Sequence, residues 1–319
     1  MRRLAPPYLF GLSLLCMMTA AHGQDARVWL DRMNAALEQL NYEGTFVHVH
    51  GGNTETLRII HRNLDGVVAE RIVSLDGVGR EIIREADNIR CILPDRKVVL
   101  LEERREINPL VSALPSYSQN LEAHYRFKVY STDRVANRQT QVVGIMPRDE
   151  YRYGYVLWLD WETAMPLKSR LWGENKEIVE EIHFTSIEFP DSIPDAALQA
   201  TIVTDGFTLF SSPKFSDEIT KGIPWRVAQL PDGFHLTATT HNPMAGSKYP
   251  VEHMVFSDGL ATVSVFIEDP KTEAEVTEGY SSVGSTNAFS LTVDGRKVTA
   301  VGEVPRRTVE SIATSLQSE

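Results

Sequence analysis

The sequence predicts a mostly β protein of α+β class: a large antiparallel sheet packed on one helix, then a smaller β-rich unit closed by a second helix. Three observations carry the prediction. Residues 24–41 hold the only strong helical periodicity among the first two hundred. From Tyr42 onward the apolar period becomes two, broken by turn pairs such as Gly51-Gly52, Asp65-Gly66 and Asp76-Gly77. A proline-rich stretch from Pro190 to Pro224 separates this region from further hairpins.

The chain opens with Arg2 and Arg3, an apolar run from Leu9 to Met18, and Ala21-His22-Gly23 as a small-x-small cleavage site. That order predicts a signal peptide over 1–23 and export of the rest. The apolar run is short for a bilayer span, and no later segment is apolar over the roughly eighteen residues a span needs. Lipid anchoring at Cys16 is disfavoured by Leu15, which stands where that signal wants a small residue. Loss of Cys16 leaves Cys91 alone in an apolar strand pattern, so no internal disulfide is expected. Thirty-two basic residues against 43 acidic ones give a net charge of −11, and removal of Arg2 and Arg3 makes it more acidic. Such a balance argues against nucleic acid as a partner.

Helix 24–41 aligns Trp29, Met33, Ala36, Leu37 and Leu40 on one face. The strands that follow are joined by connections too short for a crossover helix, so a parallel α/β fold is excluded and a meander expected. Glu106 to Ala123 breaks the rhythm with an apolar loop between Pro109 and Pro115, suited to covering a cavity mouth or plugging an open sheet end. An aromatic hairpin then runs from Arg148 to Trp172 and turns at Asp160 to Thr163. The large domain is expected over 24–200, a linker over 201–224 and the small domain over 225–319. In the small domain, Asp258-Gly259 and Asp294-Gly295 read as hairpin turns, and Pro305 opens a closing helix through Leu316.

No catalytic constellation emerges. His48 and His50 share a strand face and His61 falls on the partner strand, but no carboxylate or cysteine is evident at supporting spacing, and no metal is expected. Asp160 and Glu162 flank a turn that favours such residues for geometry alone. Gly77-Val78-Gly79 and the segment Gly279 to Gly284 lack the spacing and context of a dinucleotide loop or a nucleophile elbow. A non-enzymatic binding protein is expected, without a cofactor.

The hairpin wording RYGYxLWLDxxTxxPLKS resembles the RseB/MucB family. Five more segments match in order: Tyr42 to Val47; Leu75-Asp76-Gly77 with Arg80-Glu81; Trp225 with Leu230 to Phe234; Phe256 to Ala261 with Val263 to Glu268; and Val301 to Pro305. The resemblance implies an unclosed half-barrel like the lipoprotein carriers LolA and LolB, joined to a small C-terminal domain. It implies a periplasmic negative regulator of the envelope stress response that binds the periplasmic segment of an RseA/MucA-type anti-sigma factor. Shielding of that segment from site-1 proteolysis, and release by lipopolysaccharide or a mislocalised lipoprotein, follow from the same resemblance. It leaves a homodimer open. Phe46, Ile59, Leu157 and Trp158 are expected near a lipid cavity. Arg148, Tyr151 and Arg152, as exposed hairpin neighbours, and Trp225 and Phe234 are expected at the partner surface. A LolA-like carrier of lipid or lipoprotein is the alternative, and the second domain, which a simple carrier would not need, separates the two.

Overall fold

The computed structural model describes residues 22–86, 88–103, 119–173, 176–211, 224–243, 250–268 and 278–318. The segment expected as a signal peptide lies outside them up to residue 21, as do most of the apolar loop (104–118) and much of the expected linker (212–223).

The expected class is observed. Helix α1 (His22–Gln39) buries Met33, Ala36 and Leu37 of the expected face, and its buried stripe continues through Leu30 and Ala26, while Trp29 and Leu40 are only partly buried. Full burial of each large side chain contributes about 1.5–3 kcal/mol. Six strands follow: β1 (Tyr42–His50), β2 (Asn53–Leu64), β3 (Val67–Ser74), β4 (Glu81–Glu85), β5 (Asn88–Leu93) and β6 (Val98–Glu103). After a 3-10 turn at Gln119–Ala123 come β7 (Tyr125–Val135), β8 (Arg138–Pro147), β9 (Gly154–Asp160), β10 (Pro166–Trp172) and β11 (Ile178–Glu188). These are two meanders, and β1 pairs with β11 to fuse them into one sheet. The helix sits against β7, β8 and β2. Trp29 meets Trp161 at 5.6 Å, and Arg32 donates to the Glu162 carbonyl, which ties α1 to the β9–β10 turn.

The expected linker 201–224 is partly sheet. Short helix α2 (Asp195–Leu198) places Leu198, with Ile193, against Ile60 on the far face of β2. Thr201 donates its amide to Glu81 at 2.9 Å. Strand β12 (Thr208–Ser211) then pairs in parallel with β6. An edge strand offers unpaired backbone groups, and a short apolar segment beside it can satisfy them whatever prolines flank it.

The small unit holds β13 (Trp225–Val227), β14 (His235–Pro243), β15 (Pro250–Ser257), β16 (Thr262–Glu268), β17 (Gly279–Val283), β18 (Thr286–Val293) and β19 (Arg296–Gly302). Helix α3 (Arg306–Thr314) and β20 (Leu316–Ser318) complete it. Six of the strands form one antiparallel sheet in the order β14-β15-β16-β19-β18-β17. Asp294 and Gly295 both take positive φ, the backbone that a tight hairpin requires. Leu316, expected in the helix, instead starts β20, because its partner β13 is supplied from 225–227. Val309, Ile312 and Ala313 of α3 close the core over Val265, Ile267, Val298 and Ala300. No helix of the described residues is long and apolar enough to cross a membrane.

Candidate functional site

Three sets of contacts join the two sheets. The first is built on Arg152, in the β8–β9 connection, whose side chain has no exposed surface. Its Nε donates to Asp258 Oδ2 at 2.5 Å, Nη1 pairs with Asp149, and Nη2 donates to the Asp232 carbonyl. The guanidinium lies 5.1 Å over the Phe234 ring, and the Tyr125 hydroxyl donates to the same Asp258 oxygen at 3.0 Å. Burial, then the Asp258 charge, push the Tyr125 phenol far above its ordinary range, so it stays a donor. Asp258 Oδ1 meanwhile accepts the amides of Leu260 and Ala261 at 2.8 and 2.7 Å, capping its own hairpin turn. Gly233 beside this site has φ +86, and a Cβ there would collide with His124 of the large unit. Only glycine satisfies both demands.

In the second set, Thr308 Oγ1 donates to the Tyr151 carbonyl at 2.7 Å, and Asn287 Nδ2 donates to the Tyr153 hydroxyl at 2.8 Å and to the Val304 carbonyl at 2.7 Å. Arg307 and Glu150 form an exposed pair. The third set begins where hairpin tips meet: a Cβ on Gly51, φ +54, would stand 2.9 Å from Gly284 Cα. Beside it, Ser285 Oγ donates to Glu180 Oε2 at 2.8 Å and is also in hydrogen-bond contact with Glu303, while His48 Nε2 bonds Glu180 Oε1 at 2.7 Å. Burial, then the Glu180 charge, push Glu303 up to about 7. Burial acts upward on Glu180 as well, but hydrogen bonds from His48 and Ser285 outweigh it and hold that carboxyl below the usual range.

Two open clefts flank the junction. One, of about 570 Å³, mixes apolar residues such as Tyr130, Met146 and Trp172 with charged Asp149, Glu150 and Lys176 of the large unit, and the small unit contributes Arg307. The other, of about 500 Å³, runs between Gly51, Glu177 and Val179 on one side and Ser282, Asn287 and Arg306 on the other.

Of the residues expected at a lipid cavity, three are brought together in the packed core and the fourth lies on the other face. Phe46, Ile59 and Leu157 are fully buried in the same core cluster as Leu30 and Met33 of α1, which fills the face they point into. Trp158 follows Leu157 along β9 and therefore points to the opposite face. There its indole donates to Asp133 at 2.8 Å, with Lys168 and Arg170 over the ring. The expectation that Arg152 is exposed is likewise corrected, since its guanidinium is buried against Asp258, with the half-buried Asp149 as a second counter-charge. Arg148 stays exposed while its Nε donates to the carbonyls of Glu122 and Tyr125. Trp225 and Phe234 are 6% and 5% exposed and belong to the core of the small unit. Four of these five nevertheless gather at the junction or its border: Arg148, Tyr151, Arg152 and Phe234.

The histidine reading also changes. Register places His61 opposite Tyr42, at the far end of the hairpin from His48, and places Glu55 opposite His48. A carboxylate does therefore stand at supporting spacing. Sequence reasoning missed Asp258 as a junction residue because its turn role accounted for it. It also passed over Glu180, although that carboxylate lies on the same strand parity as buried Ile182 and Phe184. Asp160 serves its turn, accepting the amides of Glu162 and Thr163 and the Arg138 guanidinium.

Comparison with known proteins gives one consistent picture. Residues 25–202 match the model of the MucB/RseB N-terminal domain and residues 220–317 that of the MucB/RseB C-terminal domain. The sigma factor AlgU regulatory protein MucB of Pseudomonas aeruginosa is 34% identical over 97% of this chain and 96% of its own length. The sigma-E factor regulatory protein RseB of Escherichia coli is 26% identical over 96% and 94%. Among solved structures, the Pseudomonas aeruginosa MucA/MucB complex covers 92% of this chain and 99% of its own, at 31% identity and a TM-score of 0.73. A second crystal structure, MucB with MucA(peri), gives 0.71 at 32% identity with the same coverages. MucB alone gives 0.63, at 31% identity and coverages of 93% and 98%.

Proposed function

Because the chain belongs to the MucB/RseB family, we propose that it is an exported, periplasmic, non-enzymatic regulator that binds the periplasmic segment of an anti-sigma factor across both of its units. The observation that carries the reading is the pair of clefts beside the junction, each lined from both sides, in a chain that superposes better on MucB bound to MucA than on MucB alone. An extended peptide laid along such a groove would contact the 147–154 connection and the 282–287 and 305–307 turns together. A segment held this way is withdrawn from the site-1 protease, and the chain acts as a negative regulator of the envelope stress response.

Release by a lipidic signal, lipopolysaccharide or a mislocalised lipoprotein, completes the proposal. Its physical basis is the polar junction, not Phe46, Ile59 and Leu157, whose positions are filled by α1. A lipid that enters one cleft and alters how the units dock changes the peptide groove as well. Such coupling is reciprocal and of order 1–3 kcal/mol, roughly five- to 150-fold in affinity. The test is a titration of the anti-sigma segment with and without lipopolysaccharide or a lipopeptide, with site-1 cleavage of the segment followed in parallel. Protection by the chain, lost on adding lipid, is the expected result. Binding that is unchanged at saturating lipid would refute lipid release, and absence of any binding to the segment would leave a carrier of the LolA type.

A further inference from the structure

The inward face of the β1–β2 hairpin carries a cluster that the regulatory reading does not use. His48 and His50 lie two residues apart on β1 and share a face, and Glu55 is the cross-strand partner of His48. The two imidazoles stack at 4.4 Å and 30°. One ligand atom from each of the three residues lies within 4.8 Å of the others, and all three side chains are half-buried. We propose that His48, His50 and Glu55 form a binding site for a divalent transition-metal ion, zinc by the chemistry of its ligands.

Two imidazole nitrogens and one carboxylate oxygen are a donor set that zinc takes, with water in the fourth position. Zinc–ligand bonds of about 2.0–2.2 Å put tetrahedral donors roughly 3.3–3.5 Å apart. The three atoms must therefore close up by about an ångström, within reach of side-chain rotation on a rigid hairpin. The surroundings are those of a ligand and not of a free surface histidine. His48 Nε2 donates to the Glu180 carboxylate at 2.7 Å, the outer-sphere contact that fixes the tautomer of a metal-bound imidazole and leaves Nδ1 with its lone pair. Arg80 donates to Glu55 Oε2 at 2.5 Å and so orients that carboxylate, whose other oxygen is the one offered to the metal. The small unit forms one wall: a Cβ on Gly284 would stand 3.6 Å from His50 Nδ1. Through Glu180, His48 is also joined to Ser285 across the junction. A bound ion would thus stiffen the third contact set.

Equilibrium dialysis of the mature, untagged chain against zinc chloride, with the metal counted by mass spectrometry, tests this. One zinc per chain is expected, with the affinity falling at least ten-fold in His50→Gln and in Glu55→Gln, and 10- to 100-fold in Glu180→Gln, which removes the outer-sphere charge on His48. Cobalt in place of zinc should give the visible absorption of a tetrahedral site in the wild type and lose it in Glu55→Gln. Should His50→Gln fail to fold, Glu55→Gln, at the hairpin's more exposed end, decides alone. Wild-type protein without stoichiometric zinc, or zinc retained at full affinity in the Glu55 variant, overturns the site.

Discussion

The interior of the large sheet and the junction between the two sheets are both buried, but opposite chemistry holds them. Around Phe46, Ile59 and Leu157 every neighbour in the cluster is apolar or aromatic, and stability follows from area removed from water. At the junction, beside the aromatic rings of Tyr125, Tyr153 and Phe234, the buried side chains include polar Arg152, Asp258, Glu180, Asn287 and Ser285, each satisfied by a partner from the other unit. Desolvation of such groups offsets most of what their attraction contributes, so a junction of this kind specifies one docking geometry while adding little net stability. Units joined in that way can part without unfolding. The proposed release of the partner would use that property, and an apolar interface would not give it.

The comparison is sharpened first by Arg152→Ala. Loss of the guanidinium leaves Asp258 and Asp149 facing each other without a counter-charge, and such a loss costs about 3–5 kcal/mol. It should appear in calorimetry as two separated transitions, with each unit still folded. Leu157→Ala, which opens a cavity in the apolar cluster, costs about 2–5 kcal/mol. Here the large unit's own transition should move while docking geometry is kept. If both variants lower one common transition, the contrast between the regions fails.

The pH dependence of the large unit gives a smaller effect. His61 and Glu70 lie 3.8 Å apart with 3% and 1% of their side chains exposed, so burial disfavours the charged form of each. Burial pulls His61 from 6.5 down to about 4 and pushes Glu70 from 4.5 up to about 8. Glu70 holds its proton more tightly folded, so its contribution is fully present below pH 4.5 and is lost as pH rises to 8. His61 is the reverse, and its contribution is lost as pH falls from 6.5 to 4. The two slopes cancel between 4.5 and 6.5, and each is at most about 1.4 kcal/mol per pH unit. The denaturation midpoint should therefore be flat from pH 4.5 to 6.5 and fall from 6.5 to 8, and Glu70→Gln should remove that fall. Smallest is Asn287→Ala, which deletes hydrogen bonds to the Tyr153 hydroxyl and the Val304 carbonyl, about 1 kcal/mol each. A double-mutant cycle with Tyr153→Phe checks whether that coupling crosses the junction.

What was legible in the sequence was local. The helical spacing of Met33, Ala36 and Leu37, the Asp294-Gly295 turn and the opening of α3 after Pro305 each follow from residues within a few positions of one another. The junction was not legible, because Arg152 and Asp258 are 106 positions apart and leave no periodic mark. Asp258 was hidden by its adequacy as a turn residue. Two errors were avoidable by counting. Gly51 and Gly52, both with positive φ, fix the β1–β2 register, which puts Glu55 and not His61 beside His48. Consecutive Leu157 and Trp158 cannot line one cavity from one strand. Strand β12 was missed for a different reason: its pairing with β6 is parallel and follows a crossover from β11, so no turn announces it.

The central claim is that an anti-sigma segment is held at the junction by both units at once. Hydrogen exchange of the full chain, with and without the periplasmic segment of its anti-sigma factor, tests it most directly. Protection should be gained together in the 147–154 connection of the large unit and in the 282–287 and 305–307 turns of the small one. Protection confined to a single unit, or to the outer strands β5 and β6 far along the sheet from the junction, would contradict it.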